Sequence, residues 1–163
     1  MLALFLDIDG VLCFGRKHAC HLEKRKLKFL KKIQAKTGAR IILISVWRKS
    51  DWNLKYLMPA FKKYKIEWDP ADKTGSILYR EGNERPFEIR DFLEKHPEIT
   101  NFAVLDDENH KSFGHHMFHA DLMRKPPGII IKEGLIHKVG LTKDLAEAII
   151  TYLNRPKPEF PYG

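Results

Sequence analysis

The sequence predicts an α/β protein with a parallel sheet sandwiched by helices. Apolar runs of strand length alternate with helical patterns along the chain, which is typical of a parallel sheet covered on both faces. The 163 residues are 44% hydrophobic, enough to form one compact core. We therefore expect one domain over residues 1–154, followed by a Pro-rich C-terminal tail over residues 155–163.

The first elements are predicted from apolar runs and their flanking residues. Residues 2–8 are expected to form a buried strand, and residues 22–37 carry apolar side chains at helical spacing. Gly38 should end that helix. A second buried strand is predicted at residues 40–46, and Asp51 is expected to cap the helix that follows.

The middle of the chain contains weaker signals. The second helix should end near Lys63, and residues 66–68 resemble a short strand before a loop rich in turn residues. Pro86 fits the first turn of a helix over residues 86–95.

The last third is predicted to contain two further strands, a loop, a hairpin and a final helix. In chain order these are residues 101–106, residues 116–119, the loop Lys125 to Gly128, the hairpin at residues 129–136, and a helix capped by Thr142 that ends near residue 153.

Charge suggests an anionic partner. The chain has 29 Lys and Arg against 21 Asp and Glu, a net charge of +8 with a pI near 9.5. This balance favours a phosphorylated small molecule or a nucleic acid. The basic run at residues 23–32 has apolar residues at helical spacing, so we interpret it first as the solvated face of an amphipathic helix.

Neither a membrane partner nor a leader segment is expected. There is no apolar run of about 18 residues, and no basic region precedes the apolar start. The predicted location is cytoplasmic. Cys13 and Cys20 are expected to be reduced thiols, since a chain with this much core does not need a bridge.

Two acids at the end of the first strand carry the strongest chemical signal. Asp7 and Asp9 stand two residues apart, so an extended chain directs them to one face. At about 4 Å and an effective dielectric of 20 their charges repel by roughly 4 kcal/mol, which favours a bound cation or a raised pKa. Mg²⁺ suits such oxygen ligands. Gly10 then allows a sharp turn.

Further polar residues end two other predicted strands. Asp106 and Asp107 follow one apolar run, and Ser45 ends another. Ligands bind at the edge where the carboxyl ends of parallel strands meet. We therefore expect both acidic pairs to meet there, with Ser45 able to donate a hydrogen bond to a phosphate.

In order, the DxDGVL start, the strand ending in Ser45 and the AVLDDE segment resemble three motifs of the haloacid dehalogenase (HAD) phosphatase superfamily. The resemblance covers about residues 2–120. The segments Ser45 to Arg48, Arg85 to Ile89 and Gly140 to Thr142 are similar to a small, nearly capless branch found in phages and bacteria, which includes domains of RNA-repair proteins.

This resemblance implies a catalytic domain with a Rossmann-like HAD fold and a small or absent cap. It implies attack by Asp7 on phosphorus, an aspartyl-phosphate intermediate, and Asp9 as general acid and base. Mg²⁺ would be held by Asp7, the Asp9 carbonyl and Asp107, with Asp106 beside them.

The roles of the other candidate site residues have two interpretations each. Arg85 is the first choice for the basic residue of the superfamily's third motif, and Lys73 is the second. Gly10, Trp47, Arg48 and Lys73 are candidates for substrate binding, with Arg48 as a phosphate clamp. Alternatively, Trp47 lies in the core and Arg48 pairs with an acid.

Histidines and aromatic residues late in the chain are weaker candidates. His115, His116 and His119 form a cluster with no cysteine and no firm helical frame, so zinc binding is a minor reading. Tyr152, Phe160 and Tyr162 are expected to pack rather than to stack on bases.

Three functions remain open at this point. The first is a Mg²⁺-dependent phosphomonoesterase acting on nucleotides or on nucleic-acid 3′ or 5′ phosphate ends. The second is a phosphatase of small phosphorylated metabolites, and the third is a catalytically idle binding domain.

Overall fold

The computed structural model describes residues 1–14, 21–77, 84–120 and 140–155. Within these ranges the elements are β1 (Leu2–Leu6), β2 (Cys13–Phe14), β3 (His21–Leu22), α1 (Lys24–Thr37), β4 (Arg40–Leu43), α2 (Asp51–Lys63), α3 (Arg85–Lys95), β5 (Asn101–Asp106), β6 (Met117–His119) and α4 (Lys143–Leu153). Two 3₁₀ segments, Val46–Lys49 and Lys111–His116, follow β4 and β5.

The main sheet confirms the predicted α/β class. Its strand order is β4-β1-β5-β6, and every pairing is parallel. In the central strand β1, Leu4 lies between Ile41 of β4 and Ala103 of β5. Because the strands are parallel, their carboxyl ends share one edge, where ligands bind in folds of this kind.

Successive side chains of β1 point to opposite faces of the sheet and fill a core on each face. Leu4 and Leu6 belong to the larger core, and Ala3 and Phe5 to the smaller one. This follows from the two-residue period of a strand. The larger core holds apolar side chains of α1, α2 and α4, namely Leu27, Leu30, Ile33, Leu54, Leu57, Phe61, Ala146, Ile149 and Leu153. On the other face α3 contributes Ile89 and Phe92.

The helix predictions are confirmed to within two residues. The predicted N-cap residue is confirmed for α4 but not for α2. Thr142 accepts a hydrogen bond from the Leu145 N–H at 3.1 Å, as predicted. For α2 the N-cap is Ser50, which accepts from the Asn53 N–H, and Asp51 is the first helical residue.

The strand predicted at residues 66–68 does not form. The side-chain amide of Gln34 accepts from the Glu67 N–H at 2.8 Å and donates to the Glu67 carbonyl at 2.7 Å. Both backbone groups that a strand would use are therefore occupied. A different residue, Lys73, makes a parallel bridge to Leu43 and extends the edge at β4.

A short antiparallel hairpin between the first strand and α1 was not predicted. Cys13 of β2 pairs with Leu22 of β3. The expectation of a reduced thiol is wrong at Cys13, which is disulfide-bonded. The hairpin returns the chain beside Cys13, a proximity that composition does not reveal. Cys20 lies outside the described residues.

Several predictions fall on parts of the chain that the structure does not describe. These are the loop at residues 125–128, the hairpin at residues 129–136, and the tail beyond residue 155. The domain boundary at residue 154 stays a prediction. None of the described helices has the length and apolar character needed to cross a membrane.

Candidate active site at the carboxyl edge of the sheet

Asp7 lies where β1 reaches the carboxyl edge. Its N–H still donates to the Leu105 carbonyl at 2.9 Å, so the backbone is held by the sheet, and the residue is only 3% exposed. Gly10 then turns the chain with φ of 75°. A Cβ at Gly10 would collide with the Asp107 carboxylate. Gly10 therefore supplies space for an acid, and its predicted contact with substrate stays a prediction.

Three carboxylates from two strands converge at this edge. Asp7, Asp106 and Asp107 each offer one oxygen, and these oxygens lie within 4.8 Å of one another. The parallel sheet produces this meeting because β1 and β5 are neighbours. Asp9, the fourth predicted acid, does not place its carboxylate in this group.

Arg85 is the cation that joins the cluster. From the first turn of α3, its Nη1 donates to Asp106 Oδ2 at 2.5 Å, and its Nη2 lies 3.6 Å from Asp7 Oδ1. Among the described residues, no comparable ion pair links Lys73 to these acids. Of the two basic residues weighed from the sequence, the structure thus brings Arg85 to the site.

Burial and like charge oppose ionisation of two of the acids. Burial, together with the nearby charges of Asp106 and Asp107, raises the pKa of Asp7 to about 8 even though Arg85 acts in the opposite direction. Burial and the Asp106 carboxylate raise the pKa of Asp107 to about 6.

Asp106 differs because its partners favour the charged form. Burial opposes ionisation, but hydrogen bonds from His110 and Arg85 and the Glu108 N–H hold its pKa below the usual range. His110 is buried, and its Nε2 lies 2.9 Å from Asp106 Oδ2. Sequence reasoning missed His110, and its position four residues after Asp106 in a loop gave no pattern to find it.

Ser45 and Trp47 connect β4 to the two catalytic acids implied by the resemblance. The buried Ser45 side chain favours the ionised form of Asp7 and so lowers its pKa, and the Ser45 hydroxyl accepts weakly from the Trp47 N–H at 3.4 Å. The indole Nε1 of Trp47 donates to Asp9 Oδ2 at 3.0 Å. Trp47 belongs to the larger core, as one of its two interpretations predicted, and its indole N–H also holds Asp9, which neither interpretation included.

Of the two roles predicted for Arg48, the structure supports pairing with an acid. A guanidinium has five N–H donors. Those of Arg48 reach four backbone carbonyls and the carboxylate of Glu88, with the Glu88 contact at 2.6 Å. Both side chains of the pair are buried. The expected phosphate clamp is therefore wrong, because no donor of Arg48 is left for a phosphate.

The late histidines do not share a metal geometry. His116 Nδ1 lies 3.0 Å from the Phe102 carbonyl and contacts the Tyr152 hydroxyl, while His119 Nε2 lies 2.9 Å from the Asp107 carbonyl. Over the described residues, the acidic cluster is the group of potential ligands close enough to share an ion. Tyr152 packs against Phe118, as predicted. Phe160 and Tyr162 lie outside the described residues.

A parallel sheet with a DxD acid pair after its central strand and a second acid pair after the neighbouring strand defines the HAD class. Residues 3–125 match the family described as the HAD domain in Swiss Army Knife RNA repair proteins. The chain belongs to this family. No curated protein and no solved structure matches the chain.

Proposed function

We propose that this HAD domain is a Mg²⁺-dependent phosphomonoesterase that works through an aspartyl-phosphate on Asp7. The observation that carries the proposal is the acidic cluster: Asp7, Asp106 and Asp107 offer oxygens within 4.8 Å of one another at the carboxyl edge of the sheet. Asp9 lies two residues after Asp7, held by its own hydrogen bond from Trp47.

The donor set fits Mg²⁺, which prefers carboxylate oxygens at about 2.1 Å and keeps several waters. Both oxygens of Asp106 already accept hydrogen bonds from Arg85, His110 or the Glu108 N–H, so Asp7 and Asp107 are the freer ligands. The Asp9 backbone carbonyl is the third proposed ligand. When bound, the ion would neutralise phosphate charge and favour ionised Asp7.

Asp7 would act as the nucleophile. A carboxylate oxygen of Asp7 forms a bond to phosphorus as the bond to the ester oxygen breaks. The Ser45 hydroxyl orients that carboxylate, and the Arg85 guanidinium, 3.6 Å from Asp7 Oδ1, offsets the negative charge of the site. The phosphoryl group is then on Asp7 and the leaving oxygen needs a proton.

Asp9 would supply that proton and later remove one. It protonates the leaving oxygen, then takes a proton from the water that attacks the Asp7 phosphoryl group, which releases phosphate and restores both acids. The Trp47 N–H would hold one oxygen of Asp9, so that the other faces the reaction.

The proposed substrate is a phosphorylated nucleotide or a nucleic-acid end. The net charge of +8 favours a polyanion, and the family takes its name from RNA repair proteins. Such substrates fit the cytoplasmic location predicted from the sequence. A small phosphorylated metabolite is the alternative substrate.

Hydrolysis of p-nitrophenyl phosphate by the pure chain tests the proposal. We expect turnover that requires Mg²⁺, stops in excess EDTA and is inhibited by Ca²⁺, whose larger and looser shell misplaces Asp7. Asp107→Ala should raise the Mg²⁺ concentration needed for half-maximal rate. Lys95→Ala, which changes an exposed residue of α3, is the control.

Full activity in EDTA would contradict the metal mechanism. No turnover of any phosphate ester with Mg²⁺ present, across nucleotides, phosphorylated oligonucleotides and sugar phosphates, would show that the domain is catalytically idle.

A further inference from the structure

A row of aromatic rings leads from Asp9 to the surface. The Trp47 ring lies 6.0 Å from the ring of Tyr56, and Tyr56 lies 6.2 Å from Trp52 with the two planes 5° apart. We call these three residues the aromatic ladder. Trp47 is buried, but Tyr56 is 40% exposed and Trp52 is 69% exposed. The ladder therefore begins inside the site and ends in solvent.

The exposed end of the ladder is not needed for the core. α2 buries Leu54, Leu57 and Phe61, on the face opposite to Trp52 and Tyr56. An i, i+4 aromatic pair stabilises a helix by only a few tenths of a kcal/mol. Helix stability also gives no reason for the pair to continue to Trp47 and the carboxylate of Asp9.

Lysines share the surface with these rings. Positions three, four and seven residues apart lie on one stripe of a helix. The stripe of α2 that carries Trp52 and Tyr56 also carries Lys55 and Lys63, both exposed, and Lys49 is exposed just before the helix. Single-stranded nucleic acids bind to surfaces where exposed aromatic rings alternate with cations. The nucleobases stack on the rings, and the phosphates lie near the cations.

The position of the ladder matches the direction in which a strand would leave the site. In the proposed reaction Asp9 protonates the leaving oxygen, so the body of the substrate lies on the Asp9 side of the phosphate. Trp47 donates to Asp9, and the ladder extends from Trp47. A nucleoside attached to the leaving oxygen is thus directed towards Tyr56 and Trp52.

We propose that Trp52 and Tyr56 form a base-stacking subsite for the terminal nucleotides of a phosphorylated single strand. The inference rests on the proposed function, because the direction of the strand follows from the role of Asp9. It adds that specificity comes from stacking and backbone charge, so the subsite accepts different bases.

The test compares strands with and without bases. A labelled single-stranded oligonucleotide with a terminal phosphate is bound to the Asp7→Asn chain, which blocks turnover, and affinity is measured by fluorescence anisotropy. A second strand lacks the bases of its two terminal nucleotides. Both are measured with 3′ and with 5′ phosphate, and each measurement is repeated after Trp52→Ala, Trp52→Tyr and Met58→Ala. Met58 is a matched control because it is exposed on α2 but is not three, four or seven residues from Trp52 or Tyr56, so it does not lie beside the two rings.

Trp52→Ala is expected to weaken binding of the intact strand about tenfold and to change binding of the base-free strand by less than about twofold. Trp52→Tyr should restore most of the loss because it keeps a stacking ring. Met58→Ala should bind both strands as the parent does.

Equal affinities for intact and base-free strands in the parent, or equal losses on both strands in Trp52→Ala, would overturn the proposal. It would also be overturned if Trp52→Ala left strand binding unchanged but converted a dimer to a monomer in sedimentation, since the ladder would then bind a second copy. Hydrolysis of p-nitrophenyl phosphate by the wild-type chain is measured in parallel, so loss of the proposed function is recognised separately from loss of the subsite.

Discussion

Asp7 can attack phosphorus only when it is ionised, yet burial and neighbouring carboxylates raise its pKa from 3.8 to about 8. Folding without a metal therefore favours the protonated form. The contribution of Asp7 to stability is fully present below pH 3.8 and is lost as pH rises through about 8. A bound cation reverses this preference because it stabilises the carboxylate.

Mg²⁺ should accordingly stabilise the fold more at high pH. We expect the Mg²⁺-induced rise in Tm to be small at pH 5 and to grow towards pH 8, as the ion displaces protons from Asp7 and from Asp107, whose pKa is about 6. Calorimetry at several pH values with and without Mg²⁺ measures it. Asp7→Asn should flatten the trend, and a Tm rise that shrinks towards pH 8 would contradict this assignment.

The core position of Trp47 was one of its two predicted roles, but its hydrogen bond to Asp9 was not predicted. Trp47→Phe keeps the ring but removes the N–H that holds Asp9. We expect kcat/KM for an alkyl phosphate, whose leaving oxygen needs a proton, to fall about tenfold, with a smaller loss for p-nitrophenyl phosphate.

Trp68→Phe provides the control for that measurement. The Trp68 N–H also donates to a protein acceptor, the Asp72 carbonyl at 3.2 Å, away from the acidic cluster. Equal losses for the two esters in Trp47→Phe, or the same pattern in Trp68→Phe, would show that Trp47 has no positioning role.

The sequence allowed the acids to be placed but not their individual partners. Asp7, Asp106 and Asp107 follow predicted strands, and strand ends meet at one edge, so their convergence was predictable. The bonds of Trp47 and His110 depend on the exact path of a 3₁₀ segment and a loop. No sequence period encodes such paths.

At the scale of elements, the Arg48–Glu88 pair joins the 3₁₀ segment after β4 to α3. Both partners are buried, and α3 begins with Arg85, so the pair also fixes the element that carries the site cation. The predicted strand at residues 40–46 ends instead at Leu43, and Arg48 donates to carbonyls of Ile44 and Ser45 in the segment beyond it.

Removing one partner of this buried pair should be costly. Arg48→Met leaves the Glu88 carboxylate buried without its cation, and we expect the free energy of unfolding to fall by about 3–5 kcal/mol in urea titrations. The double variant Arg48→Met/Glu88→Met should recover part of the loss.

Lys95→Met is the matched control, because it breaks the exposed pair with Asp91 and should change the free energy of unfolding by about 0–1 kcal/mol. A loss in Arg48→Met no larger than in Lys95→Met would show that the pair does not tie α3 to the sheet.

At the scale of the whole molecule, the spacing of apolar residues made the fold predictable. The segments that departed from the prediction are determined by local contacts. Long amphipathic helices and buried strands of the described chain lie where apolar spacing placed them. The two failures are short: residues 66–68 lose their strand because Gln34 occupies the Glu67 backbone, and the β2–β3 hairpin has only two residues in each strand. Segments of that length carry too few residues for a period to be read.

Over the part of the chain that the structure describes, the molecule presents one acidic cluster, and the net charge of the full sequence is +8. The parallel sheet brings together residues about 100 positions apart, and the positive surface would attract a phosphorylated substrate despite the local carboxylates. The central claim is that these parts serve one event, transfer of a phosphoryl group to Asp7.

Trapping the intermediate tests that claim most directly. The wild-type chain and the Asp9→Asn chain, which should form the acyl phosphate from an activated ester but hydrolyse it slowly, are mixed with p-nitrophenyl phosphate and Mg²⁺, quenched in acid and digested. Mass spectrometry of the peptides should find one phosphoryl group, on Asp7, in larger amount in Asp9→Asn, and none in Asp7→Asn. Steady turnover with no phosphoryl group on Asp7, or turnover by Asp7→Asn at the wild-type rate, would contradict the account.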